Sequence, residues 1–395
     1  METAFFWSTT LAVIIWVVLL LLWGQFWRAD QQLSRETSSI NDLQGMWPSV
    51  AVVIPARNEA ALIEKVVRSH LTQTYPGTLS ILLIDDKSTD KTAQIAIQTA
   101  QKLDRTEILT VLSGTALPTG WTGKLWALEQ GFQYLRRQSN QPDYVLFTDA
   151  DIEHSSDNLQ RLVTKAESEK LDLVSLMVQL RTQSFWEDLL IPAFIFFFQL
   201  LYPFPWVNNP QKKTAAAAGG CVLLRFDALS RINGLQVIRK ALIDDCALGA
   251  AVKKNGPIWL GLSNEVKSLR PYPSLESLWQ MVARSAYTQL HYSPFLLVGT
   301  VIGMALVYWG PPLGFLVGLV VGSRVIALLG LLGWLMMAFA YWPTLRLYKR
   351  PAWMAFLLPI IALLYTLMTI DSALQYWTGK GSEWKGRMYS DSRVS

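Results

Sequence analysis

The chain of 395 residues is 51% hydrophobic and only 16% charged, and its formal net charge is +5. This composition excludes an ordinary soluble protein and indicates segments that lie in a membrane. Much of the positive excess flanks the apolar segments, which favours an anionic lipid surface over nucleic acid as a partner. The two cysteines, Cys221 and Cys246, are too few for a disulfide framework or a zinc site, and we expect both to be buried.

The N-terminus begins with an apolar run over residues 5–27, long enough to cross ~30 Å of hydrocarbon. Glu2 precedes the run without any basic residue, and no small-residue cleavage site follows it, so a secretory signal peptide is disfavoured. Arg28 closes the run, which favours a cytoplasmic position for the chain beyond it. We therefore predict a retained transmembrane anchor over residues 1–28.

Strand and helix patterns alternate in the segment after the anchor. Residues 49–71 and 79–101 each predict a strand, a turn and a helix, and further strands are predicted within 107–114 and at 145–147. Such alternation is typical of parallel βαβ units. We predict one sizeable α/β domain over residues 29–290, with a mostly parallel, Rossmann-like sheet.

Polar clusters follow three of these predicted strands. They are Pro55–Glu59, the pair Asp85 and Asp86, and the pair Asp149 and Asp151. Because ligands of open α/β sheets bind beyond the carboxyl ends of the strands, we expect the three clusters to line one crevice.

The chemistry of that crevice is restricted by missing motifs. The chain has neither GxGxxG after its first strand nor GxxxxGK[ST], so dinucleotide and P-loop sites are excluded. Asp149 and Asp151, one residue apart, could instead give hard oxygen ligands to Mg²⁺ or Mn²⁺ and leave positions for phosphate oxygens. The alternative is a solvated turn whose carboxylates cap the helix near Asn158.

Three histidines remain to be placed. His154, three residues after Asp151, could be a metal ligand or the partner of a ligand, but we favour a histidine at the surface or at a helix start. His70 and His291 are interpreted as structural or interfacial.

A short apolar segment, residues 189–201, lies between the acidic motif and Gly219-Gly220. It is too short to span a membrane, and aromatic residues flank it, so we predict an interfacial or re-entrant segment within 185–206. A lipid acceptor would then enter here, close to Phe197. The alternative is a buried core helix.

The C-terminal third is apolar again. We predict three transmembrane helices within 291–378, at 295–309, 313–341 and 353–376, followed by a basic tail over 379–395. Basic residues flank the last span on both sides, so the positive-inside rule does not decide the side of the C-terminus.

Four motifs, "VVIPARNE", "LIDDKSTDKT", "TDAD" and "IDD" (243–245), resemble those of family 2 glycosyltransferases with the GT-A nucleotide-sugar fold, and they occur in the family's order over most of residues 50–290. The stretches "GWTGKLWAL" (120–128), 173–204 and "AAAAGGCVLLR" (215–225) are similar to the hopene-associated subgroup. Those proteins are bacterial membrane proteins linked to hopanoid biosynthesis and related to ceramide glucosyltransferases.

The resemblance implies roles for individual residues. Donor binding is implied for Pro55, Ala56, Arg57, Glu59, Asp85, Asp86, Lys124 and Asp149. Asp149 and Asp151 would hold the metal, and Gly219 and Gly220 would lie near the acceptor. In the family's catalytic acidic pair, Asp245 is the expected base and Asp244 the second choice; the alternative for both is a helix cap.

One family feature is altered. Ceramide and cellulose types carry [QR]xxRW after the acidic pair, whereas this chain has "WQMVARSAYTQL" (279–290), in which Arg284 could replace the arginine and Ser285 stands in the tryptophan's place. This departure disfavours a processive synthase. Arg284 could contact the donor diphosphate or be an ordinary arginine at the membrane surface.

Together these features predict a membrane-bound inverting glycosyltransferase with its catalytic domain on the cytoplasmic side of the bacterial inner membrane. The expected donor is a UDP-linked sugar and the expected acceptor is a hopanoid. Other lipid acceptors (ceramide-like, diacylglycerol or polyprenyl phosphate) and a non-catalytic membrane scaffold are the alternatives.

Overall fold

The computed structural model describes residues 2–33, 46–379, 383–384 and 387–388. The described residues form two compact units. The sheet unit comprises those within 30–181, 206–271 and 383–395, and the helical unit those within 1–29, 182–205 and 272–382.

The strands are β1 (Val50–Ala56), β2 (Leu79–Asp85), β3 (Leu109–Ser113), β4 (Tyr144–Thr148), β5 (Ile152–Glu153), β6 (Leu173–Gln179), β7 (Cys221–Arg225), β8 (Ile258–Ser268), β9 (Glu383–Trp384) and β10 (Arg387–Met388). The helices are α1 (Glu2–Leu22), α2 (Ile63–Leu71), α3 (Thr92–Lys102), α4 (Gly123–Arg136), α5 (Asn158–Ser168), α6 (Phe185–Leu201), α7 (Phe204–Val207), α8 (Phe226–Arg231), α9 (Asp244–Lys253), α10 (Leu275–Gln289), α11 (Pro294–Met304), α12 (Gly310–Val321), α13 (Arg324–Leu347) and α14 (Leu358–Trp377).

The first eight strands make one sheet in the order β3-β2-β1-β4-β7-β6-β8-β5. β1, β2, β3 and β4 are parallel, and β6 is parallel to β8, but β7 pairs antiparallel with both β4 and β6. This is the mostly parallel α/β sheet that the sequence predicts. Because two antiparallel pairings restore the direction, β8 runs the same way as β1, and their carboxyl ends lie at the same edge.

The central strands are apolar throughout because helices cover both faces of such a sheet. Every residue of β1 and β4 is buried. Pro55 is tolerated in β1 because the pairing with β4 ends at Val53, beyond which that side of the strand no longer needs an N–H donor.

Four helical stretches of the described chain are long and apolar enough to cross a membrane: Glu2–Leu22, Pro294–Val321, Arg324–Leu347 and Ala352–Trp377. The number of C-terminal stretches agrees with the prediction, but the predicted break at "GPP" (310–312) is wrong. The helix continues through a π-helical turn at Ala305–Trp309 and ends at Gly322, whose φ is +76°. The proline at 311 cannot donate to the carbonyl of Val307, and the indole Nε1 of Trp16 donates to it instead at 2.9 Å.

The predicted boundaries of the catalytic domain also need correction. α6 and α10, assigned from sequence to the domain over 29–290, belong to the helical unit. α6 has nine buried residues, among them Phe196, whose ring lies 5.3 Å from that of Tyr341 on α13. The apolar sequence of the segment therefore matches the alternative interpretation, a buried helix, and it runs for 17 residues rather than thirteen.

Candidate active site

The carboxyl edge of the sheet brings the ends of β1 and β2 together. Arg57 donates from Nη1 to the backbone oxygen of Asp86 at 2.8 Å, and the same nitrogen lies 3.8 Å from Oδ2 of that aspartate. Asp86, 1% exposed, is bonded through its own N–H to the carbonyl of Ala56 at 2.8 Å. Asn58 adopts a φ of +52°, and its side-chain oxygen accepts a hydrogen bond from the N–H of Thr89 at 2.8 Å. The loops after the two strands thus form one hydrogen-bonded rim.

Lys124, the second residue of α4, lies among the acidic side chains. Its Nζ is 2.7 Å from Oδ1 of Asp149 and 3.9 Å from Oδ2 of Asp244. Burial would lower the pKa of Lys124, but the neighbouring carboxylates, Asp149 first, raise it above its usual value. The lysine is therefore a fixed positive charge that links the predicted metal motif to the predicted catalytic pair.

Asp151 has a different cation. Oδ2 of Asp151 is 2.6 Å from Nε of Arg270, and Nη2 of the same guanidinium is 2.7 Å from Oε1 of Glu59. Both carboxylates are largely buried, with side chains 11% and 9% exposed. Arg270 follows β8 by two residues, at the edge where β1 and β4 also end. Arg270 was not identified from the sequence, because its position just past a strand does not show which carboxylates it faces.

The acidic pair opens α9. Asp245 accepts hydrogen bonds from the N–H of Gly219 at Oδ2 (2.9 Å) and from the N–H of Cys246 at Oδ1 (2.7 Å). Burial, and next the charge of Asp244, raises the pKa of Asp245 to about 6, although Lys124 opposes the shift. A carboxyl group with this pKa is ionised at neutral pH and can accept a proton readily.

Two glycines precede β7 beside this pair. A Cβ at Gly219 would lie 3.1 Å from the Nζ of Lys124 and 3.4 Å from the Asp245 side chain, and one at Gly220 would lie 3.1 Å from Val178. The absence of a side chain at Gly219 therefore lets the lysine and the aspartate approach the backbone.

Glu129 holds the turn that leads into the acidic pair. It is 1% exposed on α4, and its Oε2 accepts a hydrogen bond from the N–H of Leu235 at 2.9 Å. Burial raises the pKa of its carboxyl. The sequence analysis also missed this residue, which holds the turn at Gly234–Ile238 that precedes Asp244.

His154 is neither a surface residue nor a metal ligand here. It is 5% exposed; Nδ1 lies 2.9 Å from the Asn158 amide nitrogen and Nε2 lies 3.0 Å from Oγ1 of Thr148. Thr148 in turn donates to the carbonyl of Gly220 at 2.9 Å. A neutral ring with its proton on Nε2 satisfies all three bonds, so His154 supports the turn that carries Asp149.

Two predicted site residues belong to the helical unit. Arg284 lies on α10 with an exposed side chain. Phe197 lies on α6, with its ring 5.7 Å from Tyr308 and 4.9 Å from Tyr365. The acidic cluster described above is made entirely by the sheet unit.

The donor atoms of the cluster fit a divalent cation only in part. No group of three or more His, Cys, Asp or Glu side chains suited to a metal occurs among the described residues. Asp149 and Asp151 provide two carboxylates, which is the protein contribution that Mg²⁺ typically takes when phosphate oxygens and water complete its shell. The pair therefore suits a cation that is bound together with a diphosphate.

Comparisons with known proteins show which family and fold the chain resembles. Residues 51–232 match the family model "Glycosyl transferase family 2". A beta-monoglucosyldiacylglycerol synthase of Nostoc sp. is 32% identical over 148 residues, covering 37% of this chain and 30% of that protein. An undecaprenyl-phosphate 4-deoxy-4-formamido-L-arabinose transferase of Salmonella choleraesuis is 30% identical over 137 residues, covering 34% and 38%. The match thus spans about a third of the length of these relatives.

A solved structure matches over a longer range. The mannosyltransferase of Pyrobaculum calidifontis in complex with GDP-Man and Mn²⁺ superposes with a TM-score of 0.53 at 17% identity, covering 93% of this chain and 99% of that one. At this identity the likeness concerns the fold, and it confirms the predicted GT-A fold. The chain therefore has the GT-A fold, and its residues 51–232 are similar to the glycosyl transferase family 2 domain.

Proposed function

We propose that the chain is a membrane-bound, inverting glycosyltransferase that moves a sugar from a UDP-linked donor to a lipid hydroxyl, that of a hopanoid, at the cytoplasmic face of the bacterial inner membrane. The main support is the position of Lys124, whose Nζ lies 2.7 Å from Asp149 and 3.9 Å from Asp244 at one sheet edge. A solvated turn or a simple helix cap would not require a half-buried lysine between two acidic motifs.

The donor would lie along the carboxyl edge. Its nucleoside fits the rim after β1 and β2, made by Pro55, Ala56, Arg57, Asp85 and Asp86. Its diphosphate would reach Lys124, a compact cation suited to phosphate oxygens. Lys124 already faces Asp149 in the donor-free protein, so the diphosphate would share the positive charge of the lysine with that carboxylate.

The acceptor hydroxyl would transfer its proton to Asp245 as it attacks the anomeric carbon. Each carboxylate oxygen has two lone pairs, so the oxygen that accepts the N–H of Gly219 can still take a proton. A single base on one face and the departing diphosphate on the other give inversion. No covalent sugar–enzyme intermediate is needed, because no second carboxylate has to act as a nucleophile.

Asp149 and Asp151 would hold Mg²⁺ or Mn²⁺ when the donor is bound. The cation would supply charge stabilisation to the departing diphosphate. The chain's own contribution on that side is Lys124.

The identity of the lipid is the finer part of the proposal. The resemblance to hopene-associated proteins favours a hopanoid, whereas the relatives named above favour diacylglycerol or undecaprenyl phosphate. The four apolar helical stretches support a lipid acceptor of any of these kinds.

A transfer assay with the detergent-purified chain tests the proposal. UDP-glucose and GDP-mannose would each be offered with a hydroxylated hopanoid, diacylglycerol or undecaprenyl phosphate, and glycolipid formation measured by mass spectrometry. Transfer from UDP-glucose to the hopanoid is expected. Transfer only to another lipid would identify that lipid, and not the hopanoid, as the acceptor. If no donor–lipid pair gives either transfer or donor hydrolysis, a non-catalytic scaffold is favoured.

The metal assignment has its own test. Asp151→Asn should abolish the Mn²⁺-dependent part of UDP binding in calorimetry while the protein remains folded. Asp157→Asn, the same change at an exposed position of the same region, should leave binding unchanged. UDP binding by the wild type that is equal in EDTA and in Mn²⁺ would contradict the assignment.

A further inference from the structure

The strand-end carboxylates of the acidic cluster each face a cation of the protein itself. Asp149 faces Lys124 at 2.7 Å, and Asp151 faces Arg270 at 2.6 Å. The guanidinium also binds Glu59 at 2.7 Å, so it joins the carboxyl ends of β1 and β4 from a position just past β8. In the sequence, Arg270 is 119 residues from Asp151 and 211 residues from Glu59.

We propose that Arg270 is a built-in cation which holds Asp151 in the donor-free protein and makes divalent-metal binding depend on the nucleotide diphosphate. This inference rests on the proposed function and adds a residue, Arg270, to which no role was assigned from the sequence. Arg270 is a positioning residue in this scheme, because it acts through Asp151 and not on the sugar.

The charges carry the first step of the argument. A divalent cation is drawn to Asp149 and Asp151 by their negative charge, but Lys124 and Arg270 already neutralise one carboxylate each. A further positive ion would also be repelled by the guanidinium beside it, and water screens this repulsion only in part because the Asp151 side chain is 11% exposed. The free protein should therefore bind Mn²⁺ weakly.

The ligand count carries the second step. Two carboxylates give too few oxygens for Mg²⁺ or Mn²⁺, which take about six ligands. The part of the chain that the structure describes offers no third His, Cys, Asp or Glu side chain to complete a metal group. A diphosphate brings both the missing oxygens and the negative charge that offsets the two protein cations. Metal and nucleotide should therefore strengthen each other's binding.

Thermodynamic linkage makes this coupling measurable. The factor by which UDP tightens Mn²⁺ binding must equal the factor by which Mn²⁺ tightens UDP binding, and coupling factors of about 5–150 are typical. Arg270→Gln keeps a side chain that can hydrogen-bond to both carboxylates and removes the charge. It should tighten Mn²⁺ binding in the absence of UDP by about tenfold and lower the coupling factor accordingly.

The experiment titrates the full detergent-purified chain with Mn²⁺, with and without UDP, and follows free Mn²⁺ by electron paramagnetic resonance. Arg231→Gln is the matched control, because it removes an arginine that pairs with Asp172 in the same unit, outside the acidic cluster. The control should behave as the wild type. Arg270→Lys, which keeps a charge but cannot bridge both carboxylates in the same way, should retain most of the coupling.

Unchanged Mn²⁺ affinity of folded Arg270→Gln without UDP would overturn the inference, as would wild-type protein that binds Mn²⁺ equally well with and without UDP. If circular dichroism shows that Arg270→Gln does not fold, Glu59→Gln provides the second test, because it removes one of the two negative charges that the guanidinium faces and should weaken Mn²⁺ binding in the absence of UDP. Equal Mn²⁺ affinity of Glu59→Gln and wild type would then overturn the inference. Failure of the wild type to bind UDP at any Mn²⁺ concentration would instead contradict the proposed function.

Discussion

The carboxylate of Asp245 accepts two backbone N–H groups and, in the proposed reaction, must also accept a proton. Those bonds fix its orientation beside Gly219, whereas Asp244 faces Lys124 at the longer distance of 3.9 Å. The family pattern identifies the pair but does not divide the roles between its members. The structure assigns the capping contacts to Asp245, so the same residue is expected to be both oriented and basic.

Amide substitutions test this division. Asp245→Asn should lower kcat by about 10²–10⁴-fold, because it removes the proton acceptor, and should leave UDP affinity and thermal stability nearly unchanged. Asp244→Asn should cost less. Turnover and UDP affinity are measured in parallel for both variants. An inactive Asp244→Asn beside an active Asp245→Asn would reverse the roles, and activity of both would place the base elsewhere.

The pH dependence of turnover gives a second test at the same residue. The base must be ionised, so kcat/KM, which reports the free enzyme, should fall as the pH drops below about 6, the raised pKa of Asp245, and should be flat above it. The residual activity of Asp245→Asn should lack this acidic limb. A limb near the ordinary aspartate pKa of about 4 in the wild type would contradict the assignment.

Several individual residues of the site could be predicted from sequence, and the reason is local. The acidic motifs directly follow apolar strands, so their position at the sheet edge needs no knowledge of distant contacts. Arg270 and Glu129 were not predictable in this way, because their partners are distant in sequence. Arg270 contacts Asp151, 119 residues away, and Glu129 contacts Leu235, 106 residues away. Only the order of strands in the sheet brings such residues together.

At the scale of single elements, the turn between β4 and β5 depends on a buried histidine pair. The rings of His70 on α2 and His154 lie 4.4 Å apart, and both residues are at most 5% exposed. Burial lowers the pKa of His70 to about 3, and it lowers that of His154 well below the usual value, with a smaller contribution from His70. The folded protein therefore keeps both rings neutral where the unfolded chain would protonate them.

This pair predicts a loss of stability in mild acid. For groups whose folded pKa is depressed below 6.5, the unfolded state takes up more protons, so stability is full above about pH 6.5 and declines as the pH falls toward 3. The slope is at most about 1.4 kcal/mol per pH unit for each histidine. Thermal unfolding followed by tryptophan fluorescence measures this loss of stability. The pH is varied from 7.5 to 5, roughly the range over which histidine titrates.

His154→Asn should flatten this profile, because one of the two groups no longer titrates, whereas His291→Gln should not, since His291 is exposed. A wild-type midpoint that does not change over this pH range would contradict a role for the buried pair. The result is independent of catalysis and so separates the support of the turn from the chemistry of Asp149.

Other elements show where sequence patterns mislead. Proline and glycine at 310–312 favour a helix break, yet the helix continues because a tryptophan from α1 satisfies the carbonyl that the proline at 311 leaves without a donor. α6 has the length and aromatic flanks of an interfacial segment, yet nine of its 17 residues are buried, and Phe196 packs on Phe26 and Tyr341, both more than a hundred residues away in sequence. In both cases a partner distant in sequence determines the structure of the element, and the hydropathy of the element alone does not reveal that partner.

At the scale of the whole molecule, the helical unit is assembled from distant parts of the chain. The Tyr365 hydroxyl donates to the carbonyl of Leu190 on α6 at 2.9 Å, and the Gln199 amide lies 3.4 Å from Oγ1 of Thr344. A fragment that ends at residue 290 would retain α6 without α13 and α14. It should aggregate or become sensitive to protease, which limited proteolysis and gel filtration would measure. A monodisperse fragment that binds UDP as the full chain does would contradict this expectation.

Phe197 requires a gentler test than a charged substitution. Its contacts with Tyr308 and Tyr365 mean that an aspartate there would disturb the bundle itself. Phe197→Leu should raise KM for the lipid acceptor several-fold, on the order of the 1–3 kcal/mol effects of reshaped apolar contacts, with donor KM unchanged. Leu201→Ala, at an exposed position of the same helix, is the control. Equal changes in both KM values would argue against an acceptor role.

The position of β7 between β4 and β6 has a consequence for synthesis. β1 to β4 can pair as soon as residue 148 has left the ribosome, but β5 and β6, the next strands made, have no direct neighbour among them. β7, the partner of β6, ends at Arg225, after the ribosome has delivered the whole of α6. The edge of β4 therefore stays unpaired in the nascent chain while more than seventy further residues are translated. The apolar helix α6 emerges during the same interval. We expect the nascent chain to need protection by a chaperone during this interval.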